Sequence, residues 1–223
     1  MTRYKHIVPY SAVCTSKRNL YYLNQYPWRF LLSPFRPTGK WMHSCAGYAI
    51  DNGAWVYFKR NQEYDSSGFL KDVKEYGANA DFVVIPDVVE DKDKTLEMSE
   101  YWIKMLSDYR LLLVAQDGVS ISDLEMFTKR GIGIFIGGST DWKLSMIKPI
   151  SDLCRGYDVL CHVGRVNTLK RLRKCVFDGA HSFDGSGMAR FVKTAEIMTR
   201  QMIHLDQDLF ANSFDAVKER YCL

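Results

Sequence analysis

Eight short apolar runs rich in β-branched residues recur along the chain, separated by segments with helical periodicity. Most of the runs are almost continuously apolar instead of alternating, which is typical of parallel strands that are covered on both faces. The predicted strands are 6–10, 29–34, 47–51, 81–87, 111–117, 133–138, 159–164 and 181–185.

Three of the intervening segments have clear helical patterns. The first, 93–109, places apolar residues on one face: Met98, Trp102, Met105 and Tyr109. The second, 121–131, is expected to begin with Ser122 or Asp123 as its N-cap. The third, 188–205, repeats apolar residues at spacings of four and three: Phe191, Ala195, Met198, Met202 and Leu205. We interpret the methionines among them as core packing.

Eight strands alternating with helices predict a single, small (β/α)8 barrel over residues 1–223, with C-terminal helices from about 188. The alternative is an open doubly wound sheet. The absence of a GxGxxG motif after the first strand argues against a dinucleotide-binding sheet. The segment 34–46 contains two prolines and no convincing helix, so the first units are the least regular.

Composition indicates a globular protein, with 47% apolar and 25% charged residues. No apolar run reaches the roughly 18–20 residues of a membrane span, and the N-terminus lacks the apolar segment of a secretion signal. We therefore expect a cytoplasmic protein without a membrane partner. The net charge of +4 permits a nucleic-acid partner without requiring one.

The six cysteines contain no CxxC pair: Cys14, Cys45, Cys154, Cys161, Cys175 and Cys222. This spacing argues against a zinc ribbon and against a disulfide framework, and it favours reduced thiols. We expect no metal site and no cofactor.

Polar residues and glycines recur where the predicted strands end: Asp51, Asp87, Gln116, Gly137, Gly138, His162 and Asp184. In (β/α)8 barrels the carboxyl ends of the strands form the active-site face. Clustered carboxylates repel one another, so such clusters tend to be functional. Taken singly, each of these residues has a plainer interpretation: a strand-end aspartate such as Asp184 can cap the following helix or stabilise a loop, and a Gly–Gly pair can simply form a turn. We interpret His162 as a buried strand histidine.

Six of these strand-end motifs resemble, in order and spacing, those of the tRNA-guanine transglycosylase superfamily. The motifs are DNGAW (51–55), IPD (85–87), VAQDG (114–118), FIGGS (135–139), HVGRVNT (162–168) and GAHSFDGS (179–186). The chain is most similar to the short phage-type relatives, which are implicated in inserting 7-deazaguanines into DNA. The family is a (β/α)8 barrel.

The resemblance implies a role for each matching position. Asp184 would be the nucleophile that attacks C1′, and Asp51 the general acid and base. Asp87 and Gln116 would hydrogen-bond the edge of the base, and Gly138, next to Gly137, would donate a backbone N–H to it. A carboxylate near C1′ can trap the positive charge that develops there. We expect Gly185 and Gly187 to leave room for the nucleotide beside Asp184.

The tRNA enzymes of this family carry a zinc subdomain with clustered cysteines near the C-terminus, and this chain has no such cluster. Because that element supports tRNA docking, we expect DNA to be the substrate in preference to tRNA. The co-substrate would be a 7-deazaguanine base.

Cations and aromatic residues near the strand ends are candidate nucleic-acid contacts, since cations pair with phosphates and rings stack on unpaired bases. They are Arg36, Lys40, Trp41, Trp55, Arg165 and Arg190. The alternative for Trp55 and Phe58 is packing beneath a loop. The basic run 169–174 is more typical of a solvated helix face.

Four functions are compatible with these residues. The first is a DNA guanine transglycosylase, and the second is a DNA glycosylase that leaves an abasic site. The third is a non-catalytic nucleic-acid binder, which gains little from two carboxylates near a polyanion. The fourth is an unrelated glycosidase that acts on free glycosides.

Overall fold

The computed structural model describes residues 7–37 and 45–211, with side chains up to residue 207. Eight parallel strands close into a barrel in sequence order, β1 pairing with both β2 and β8. The strands are β1 Val8–Ala12, β2 Arg29–Leu32, β3 Tyr48–Ile50, β4 Val83–Val84, β5 Leu111–Ala115, β6 Gly133–Ile136, β7 Cys161–Val163 and β8 Ser182–Gly185. The predicted (β/α)8 barrel is confirmed, and the open sheet is wrong.

Helices connect the strands and surround the barrel. They are α1 Lys17–Leu23, α2 Ala54–Lys59, α3 Ser67–Tyr76, α4 Lys92–Met105, α5 Ile121–Thr128, α6 Thr140–Gly156, α7 Leu169–Asp178, α8 Gly187–Arg190 and α9 Val192–Ala211. A 3₁₀ turn over Gly77–Asn79 follows α3. Between β2 and β3 the described residues contain no helix, and Lys40 and Trp41 lie outside the described residues. No helix in the described ranges has the length and apolar character to cross a membrane.

Two apolar layers explain why the strands are continuously apolar. One cluster includes alternate positions of the strands: Tyr10, Ala49, Phe82, Val84, Leu112 and Val114. A larger cluster packs the other positions against the surrounding helices, and all five residues of β5 are buried. Successive side chains of a strand point to opposite faces, so each strand needs apolar residues for both layers.

The N-cap of α5 differs from the expected one. Ser120 accepts a hydrogen bond from the backbone N–H of Asp123 at 3.1 Å, and the Asp123 carboxylate accepts one from the Ser120 N–H at 3.0 Å. This reciprocal capping box satisfies two N–H groups that the first turn leaves unpaired. The expected cap at Ser122 or Asp123 is therefore wrong, because the helix begins at Ile121.

The predicted apolar faces are correct at most positions, including Met98, Tyr109 and Leu205, which pack against the core, and wrong at two positions. Trp102 in α4 is buried, as are Ala195, Met198 and Met202 in α9. Met105 is 45% exposed and Phe191 is 58% exposed. Both lie at a helix end: Met105 is the last residue of α4, and Phe191 directly precedes α9.

Candidate active site

Three carboxylates come together at the mouth formed by the carboxyl ends of the strands. Asp184 lies within β8, Asp51 directly follows β3, and Asp87 follows β4 by three residues. Burial raises the pKa of Asp51 to about 7, and the negative charges of Asp184 and Asp87 add to the rise. Backbone N–H groups of Asn52 and Gly53 hydrogen-bond to Asp51 and oppose it. The expected clustering of these three residues is thus present in the structure.

Asp87 is held by two side-chain amides, one on each carboxylate oxygen. Asn52 Nδ2 donates to Oδ1 at 2.8 Å, and Gln116 Nε2 donates to Oδ2 at 2.8 Å. Burial raises the pKa of Asp87 to about 6, while the hydrogen bond from Asn52 lowers it. Asn52 also donates to the carbonyl of Ile85 and accepts from the Ala54 N–H, each at 2.8 Å. Asn52 was not predicted from the sequence, although its place between Asp51 and Gly53 is a usable signal.

Gln116 is buried and its hydrogen bonds run into the protein. Besides Asp87, its amide nitrogen donates to the Val88 carbonyl at 2.9 Å and to Thr95 Oγ1 at 3.1 Å. Its oxygen accepts from the Glu90 N–H at 2.6 Å. In this arrangement Gln116 orients Asp87 and the loop before α4. The expected contact of Gln116 with a base edge stays a prediction, since the bonds described here all go to groups of the protein.

The Gly137–Gly138 pair forms a tight turn between β6 and α6. The Gly137 N–H donates to the Ala115 carbonyl at 2.9 Å, so it belongs to the sheet and does not point to a ligand. Gly138 has φ +65°, and a Cβ there would lie 2.3 Å from Asp117 Oδ1. Asp117 holds the turn by accepting from Ser139 N at 2.6 Å and from Ser139 Oγ at 2.5 Å. Only glycine fits this geometry without strain.

Asp184 is 8% exposed and is not a helix cap. Its Oδ2 lies 3.1 Å from His162 Nε2, and its Oδ1 accepts from the Arg165 backbone N–H at 3.4 Å. The N-cap residue of the next helix, α8, is Ser186, which makes no side-chain capping bond. The capping interpretation is therefore wrong. His162 is buried as expected, but its contact with Asp184 was missed.

The glycines beside Asp184 make room for protein and not for a ligand. A Cβ on Gly185 would lie 2.6 Å from both Asn167 Oδ1 and the Val166 carbonyl. A Cβ on Gly187 would lie 2.8 Å from Asn167 Oδ1, which accepts from the Gly187 N–H at 2.7 Å. The expected space for a nucleotide at these two positions is thus filled by the loop after β7.

Arg165 and Trp55 meet across the mouth of the barrel. Trp55 follows β3 and Arg165 follows β7, which stand opposite each other in an eight-stranded barrel. The guanidinium carbon lies 4.4 Å from the centre of the indole, and the guanidinium also donates to the Gly138 carbonyl. Lys59 Nζ lies 4.7 Å from the same ring. Burial lowers the pKa of Arg165.

Trp55 and Phe58 form an exposed aromatic pair, 38% and 41% exposed, with ring centres 5.8 Å apart and planes 27° from parallel. The alternative interpretation, in which these rings pack beneath a loop, does not fit the described residues, because both rings are exposed. Together with Arg165 and Lys59 they form what we call the mouth patch: Trp55, Phe58, Lys59 and Arg165.

The other candidate nucleic-acid contacts are not part of the mouth patch. Arg36 forms an ion pair with the buried Asp72 of α3 and donates to the Ser33 carbonyl at 3.1 Å. Arg190, the last residue of α8, is exposed. Its guanidinium carbon lies 5.6 Å from the ring centre of Phe191, which lies between α8 and α9. Lys40 and Trp41, as noted, are not described.

Two further ionisable groups near the carboxylates were not anticipated. Burial lowers the pKa of Lys143 to about 8, and its Nζ donates to the Gly164 carbonyl at 2.6 Å. Tyr64 donates to the Asn52 carbonyl at 3.1 Å, and burial together with the charges of Asp51 and Asp87 raises its pKa. Lys143 lies in α6 and Tyr64 in the loop before α3, so strand-end spacing could not reveal them.

The described residues contain no group of three or more His, Cys, Asp or Glu side chains arranged to hold a metal ion. The closely spaced carboxylates of Asp51, Asp87 and Asp184 are suited to proton transfer and nucleophilic attack.

No family model matches the chain, and no curated protein matches it. Solved structures with the same fold include the YdjI aldolase from Escherichia coli K12, with a TM-score of 0.57, 9% identity, 90% of this chain covered and 91% of that chain. A structure described as native KDPGal has a TM-score of 0.54, 8% identity and coverage of 95% and 99%. The aldolase QR15 has a TM-score of 0.50, 11% identity and coverage of 89% and 96%. At these identities the likeness establishes the barrel fold alone.

Proposed function

We propose that this protein is an enzyme that breaks an N-glycosidic bond in nucleic acid and exchanges the base. The preferred reaction is replacement of guanine by a 7-deazaguanine in DNA. Asp184 attacks C1′, and the bond from C1′ to the base breaks as its electron pair leaves with the base. Asp51 supplies a proton to the departing base and later takes one from the incoming base.

The observation that carries this proposal is that two carboxylates at the mouth of the barrel, Asp51 and Asp184, have different surroundings. The pKa of Asp51, about 7, keeps a proton on a large fraction of its carboxyl groups near neutral pH. Asp184 instead has its two oxygens held separately, Oδ2 at 3.1 Å from His162 Nε2 and Oδ1 at 3.4 Å from the Arg165 backbone N–H, which fixes the orientation of its carboxylate. One group is thus suited to proton transfer and the other to nucleophilic attack, the division of labour that covalent glycosyl transfer requires.

Asp87 is the group best placed to contact the edge of the base. Each of its oxygens accepts one amide hydrogen bond, from Asn52 and from Gln116. A carboxylate has about four lone-pair sites, so two acceptor sites remain for the N–H groups of a guanine-like edge. The two amides fix the plane of the carboxylate, and this pre-orientation favours binding of one edge geometry.

The mouth patch supports a nucleic-acid substrate over a free glycoside. Two stacked, exposed rings can take an unpaired base, and Arg165 and Lys59 can pair with phosphates. The target base must leave the stack to reach the carboxylates at the mouth of the barrel.

The decisive experiment is mass spectrometry of nucleosides from DNA and from tRNA incubated with the protein, with and without 7-deazaguanines. The proposal expects 7-deazaguanosine-type nucleosides in DNA only when the free base is added. Abasic sites without an added base would instead establish the glycosylase. Modification of tRNA with untouched DNA would overturn the choice of DNA.

Asp184→Asn is the matched variant for this experiment, because it keeps the shape of the side chain and removes its charge. We expect turnover to fall by at least about 10³-fold, as for loss of a nucleophile, while circular dichroism and DNA affinity stay near those of the wild type. A folded Asp184→Asn protein with near-normal base exchange would contradict the covalent mechanism.

A further inference from the structure

His162 makes one hydrogen bond from each nitrogen of its ring, both of them to β8. Nδ1 lies 2.8 Å from Ser182 Oγ, and Nε2 lies 3.1 Å from Asp184 Oδ2. His162 of β7 is paired directly with Ser182 in the sheet. Ser182 and Asp184 are two residues apart on one strand and so point to the same face. The three side chains therefore form one connected chain inside the barrel.

The partners of His162 determine which nitrogen carries the proton. An ionised carboxylate can only accept, so Nε2 must be the protonated nitrogen that donates to Asp184. In the neutral ring Nδ1 is then the acceptor, and it accepts a hydrogen bond from the hydroxyl group of Ser182. The carboxylate of Asp184 therefore selects the Nε2–H tautomer, and the Ser182 hydroxyl, which can donate, satisfies the unprotonated Nδ1 and holds the ring in place.

The ring of His162 has no freedom to turn away from Asp184. It is fully buried, stacked on Phe135 with ring centres 4.9 Å apart, and met edge-on by Tyr10 and Phe82 at 5.5 and 5.2 Å. Apolar rings on these sides also lower the local dielectric, which strengthens the hydrogen bond to the carboxylate. Neither packing nor solvent therefore offers His162 an alternative partner.

We propose that His162, anchored through Nδ1 by Ser182, is a positioning residue that holds the carboxylate of Asp184 in the orientation needed for attack. His162 binds Oδ2 deep in the barrel. Oδ1 lies toward the mouth, where the Arg165 N–H is its more distant donor at 3.4 Å. The less tightly held Oδ1 is thus the oxygen presented to C1′. This inference rests on the proposed function in taking Asp184 as the nucleophile.

The same hydrogen bond also affects the second half of the reaction. When Oδ1 bonds to C1′, the carboxylate becomes an ester and Oδ2 becomes a neutral carbonyl oxygen, which is a weaker acceptor. When C1′ is transferred to the incoming base, the electron pair of the O–C1′ bond returns to Asp184 and its charge is restored. His162 stabilises that released carboxylate, so its donor favours turnover of the covalent intermediate.

Three variants test the donor role against simple packing. His162→Phe keeps an aromatic ring against Phe135 but removes both hydrogen bonds, and we expect kcat to fall by about 10- to 100-fold with KM changed less than about threefold. His162→Gln replaces the donor with an amide of similar reach and should recover most of kcat. Equal losses in both variants, or a folded His162→Phe protein with wild-type kcat, would overturn the proposal.

His181→Gln is the matched control. His181 immediately precedes β8, and its Nδ1 accepts from the Cys161 backbone N–H at 3.0 Å instead of contacting Asp184. We expect this variant to keep kcat within about twofold of the wild type. A loss as large as that of His162→Phe would assign the effect to general disturbance of β8 and so contradict a specific role for His162.

A second measurement needs no turnover. Long-range ¹H–¹⁵N correlation spectra of the wild-type protein should show His162 as the Nε2–H tautomer, and Ser182→Ala should leave the proton on Nε2, because the carboxylate of Asp184 holds it there. A Nδ1–H tautomer in the wild type would overturn the proposal. If the wild type exchanges no base in DNA or tRNA, the proposed function fails, while the tautomer still decides whether His162 donates to Asp184.

Discussion

Two carboxylates of the site, Asp51 and Asp87, have their pKa values raised well into the neutral range. The cause is the same for both, burial at the mouth of the barrel, and for Asp51 the neighbouring charges add to it. A raised pKa means that the folded protein holds a proton that the unfolded chain releases at lower pH. Each such group therefore makes stability depend on pH.

We predict that Asp51→Asn is more stable than the wild type above pH 7, by roughly 2 to 4 kcal/mol. In the folded protein Asp51 titrates at about 7 instead of 3.8. Its ionisation therefore opposes folding increasingly as the pH rises from about 4 to about 7, and an amide removes that cost. The difference should shrink toward zero near pH 4. Urea unfolding at pH 4, 6 and 8 measures it, and a difference that is independent of pH would contradict the assignment.

Loops between strands and helices determine which residues the barrel presents at its mouth, and two of these loops are fixed by specific contacts. The turn before α6 depends on Gly138 and Asp117, and the segment after β2 is tied to α3 by Arg36 and Asp72. Each contact leads to a stability prediction at the level of the element.

Gly138→Ala should destabilise the protein by about 2 to 4 kcal/mol, since the residue has φ +65° and its new Cβ would overlap Asp117 and Trp142. Gly131→Ala is the matched control: φ there is +82°, but nothing lies within 4 Å of the added Cβ. The control should cost only about 1 kcal/mol of backbone strain. Equal losses in chemical denaturation would show that the overlap at Gly138 relaxes freely.

Arg36→Ala should destabilise the protein by about 2 to 4 kcal/mol, because it leaves the carboxylate of Asp72 buried without its ion-pair partner. The side chains of Arg36 and Asp72 are 15% and 8% exposed. The exposed pair Arg130–Glu100, at 46% and 56%, is the control, and Arg130→Ala should cost less than about 1 kcal/mol. If Arg36→Ala instead weakens DNA binding without loss of stability, Arg36 is a phosphate contact as its sequence position indicated.

At the scale of the whole molecule, the closed barrel brings residues from opposite strands to one mouth. Trp55 after β3 and Arg165 after β7 are 110 positions apart in the chain and 4.4 Å apart in space. The mouth patch therefore exists only in the folded protein, and its binding properties test the nucleic-acid proposal separately from the chemistry.

We predict that single-stranded DNA binds with an affinity that falls steeply with salt, and that the two sides of the mouth patch contribute differently. Trp55→Ala should weaken binding by about 1 to 3 kcal/mol without changing the salt dependence, since stacking releases no counterions. Arg165→Gln should lower the slope of log K against log salt by about 1 in magnitude.

Lys104→Gln, in the last turn of α4 at the other end of the barrel, is the charge control and should leave the slope unchanged. Fluorescence anisotropy over a range of salt concentrations gives the affinity and the salt slope of the wild type and of the three variants. A Trp55→Ala protein with wild-type affinity would remove the mouth patch from the binding surface.

The fold and the location of the site could be predicted from sequence because both depend on local pattern. A strand covered on both faces must be apolar at nearly every position, and eight such runs with helices between them predict a closed parallel barrel. All carboxyl ends of such strands meet at one mouth. The clustering of Asp51, Asp87 and Asp184 therefore followed from their places at strand ends alone.

The contacts of those side chains could not be predicted, because their partners are distant in sequence and are brought near only by closure of the barrel. Gln116 turned out to support Asp87, Arg36 to pair with Asp72, and His162 to bind Asp184, each 20 or more positions away. A buried polar group must find a partner within about 3 Å. Which partner it finds depends on packing between elements, so the sequence determined where the polar groups lie and the tertiary structure alone decided what they hold.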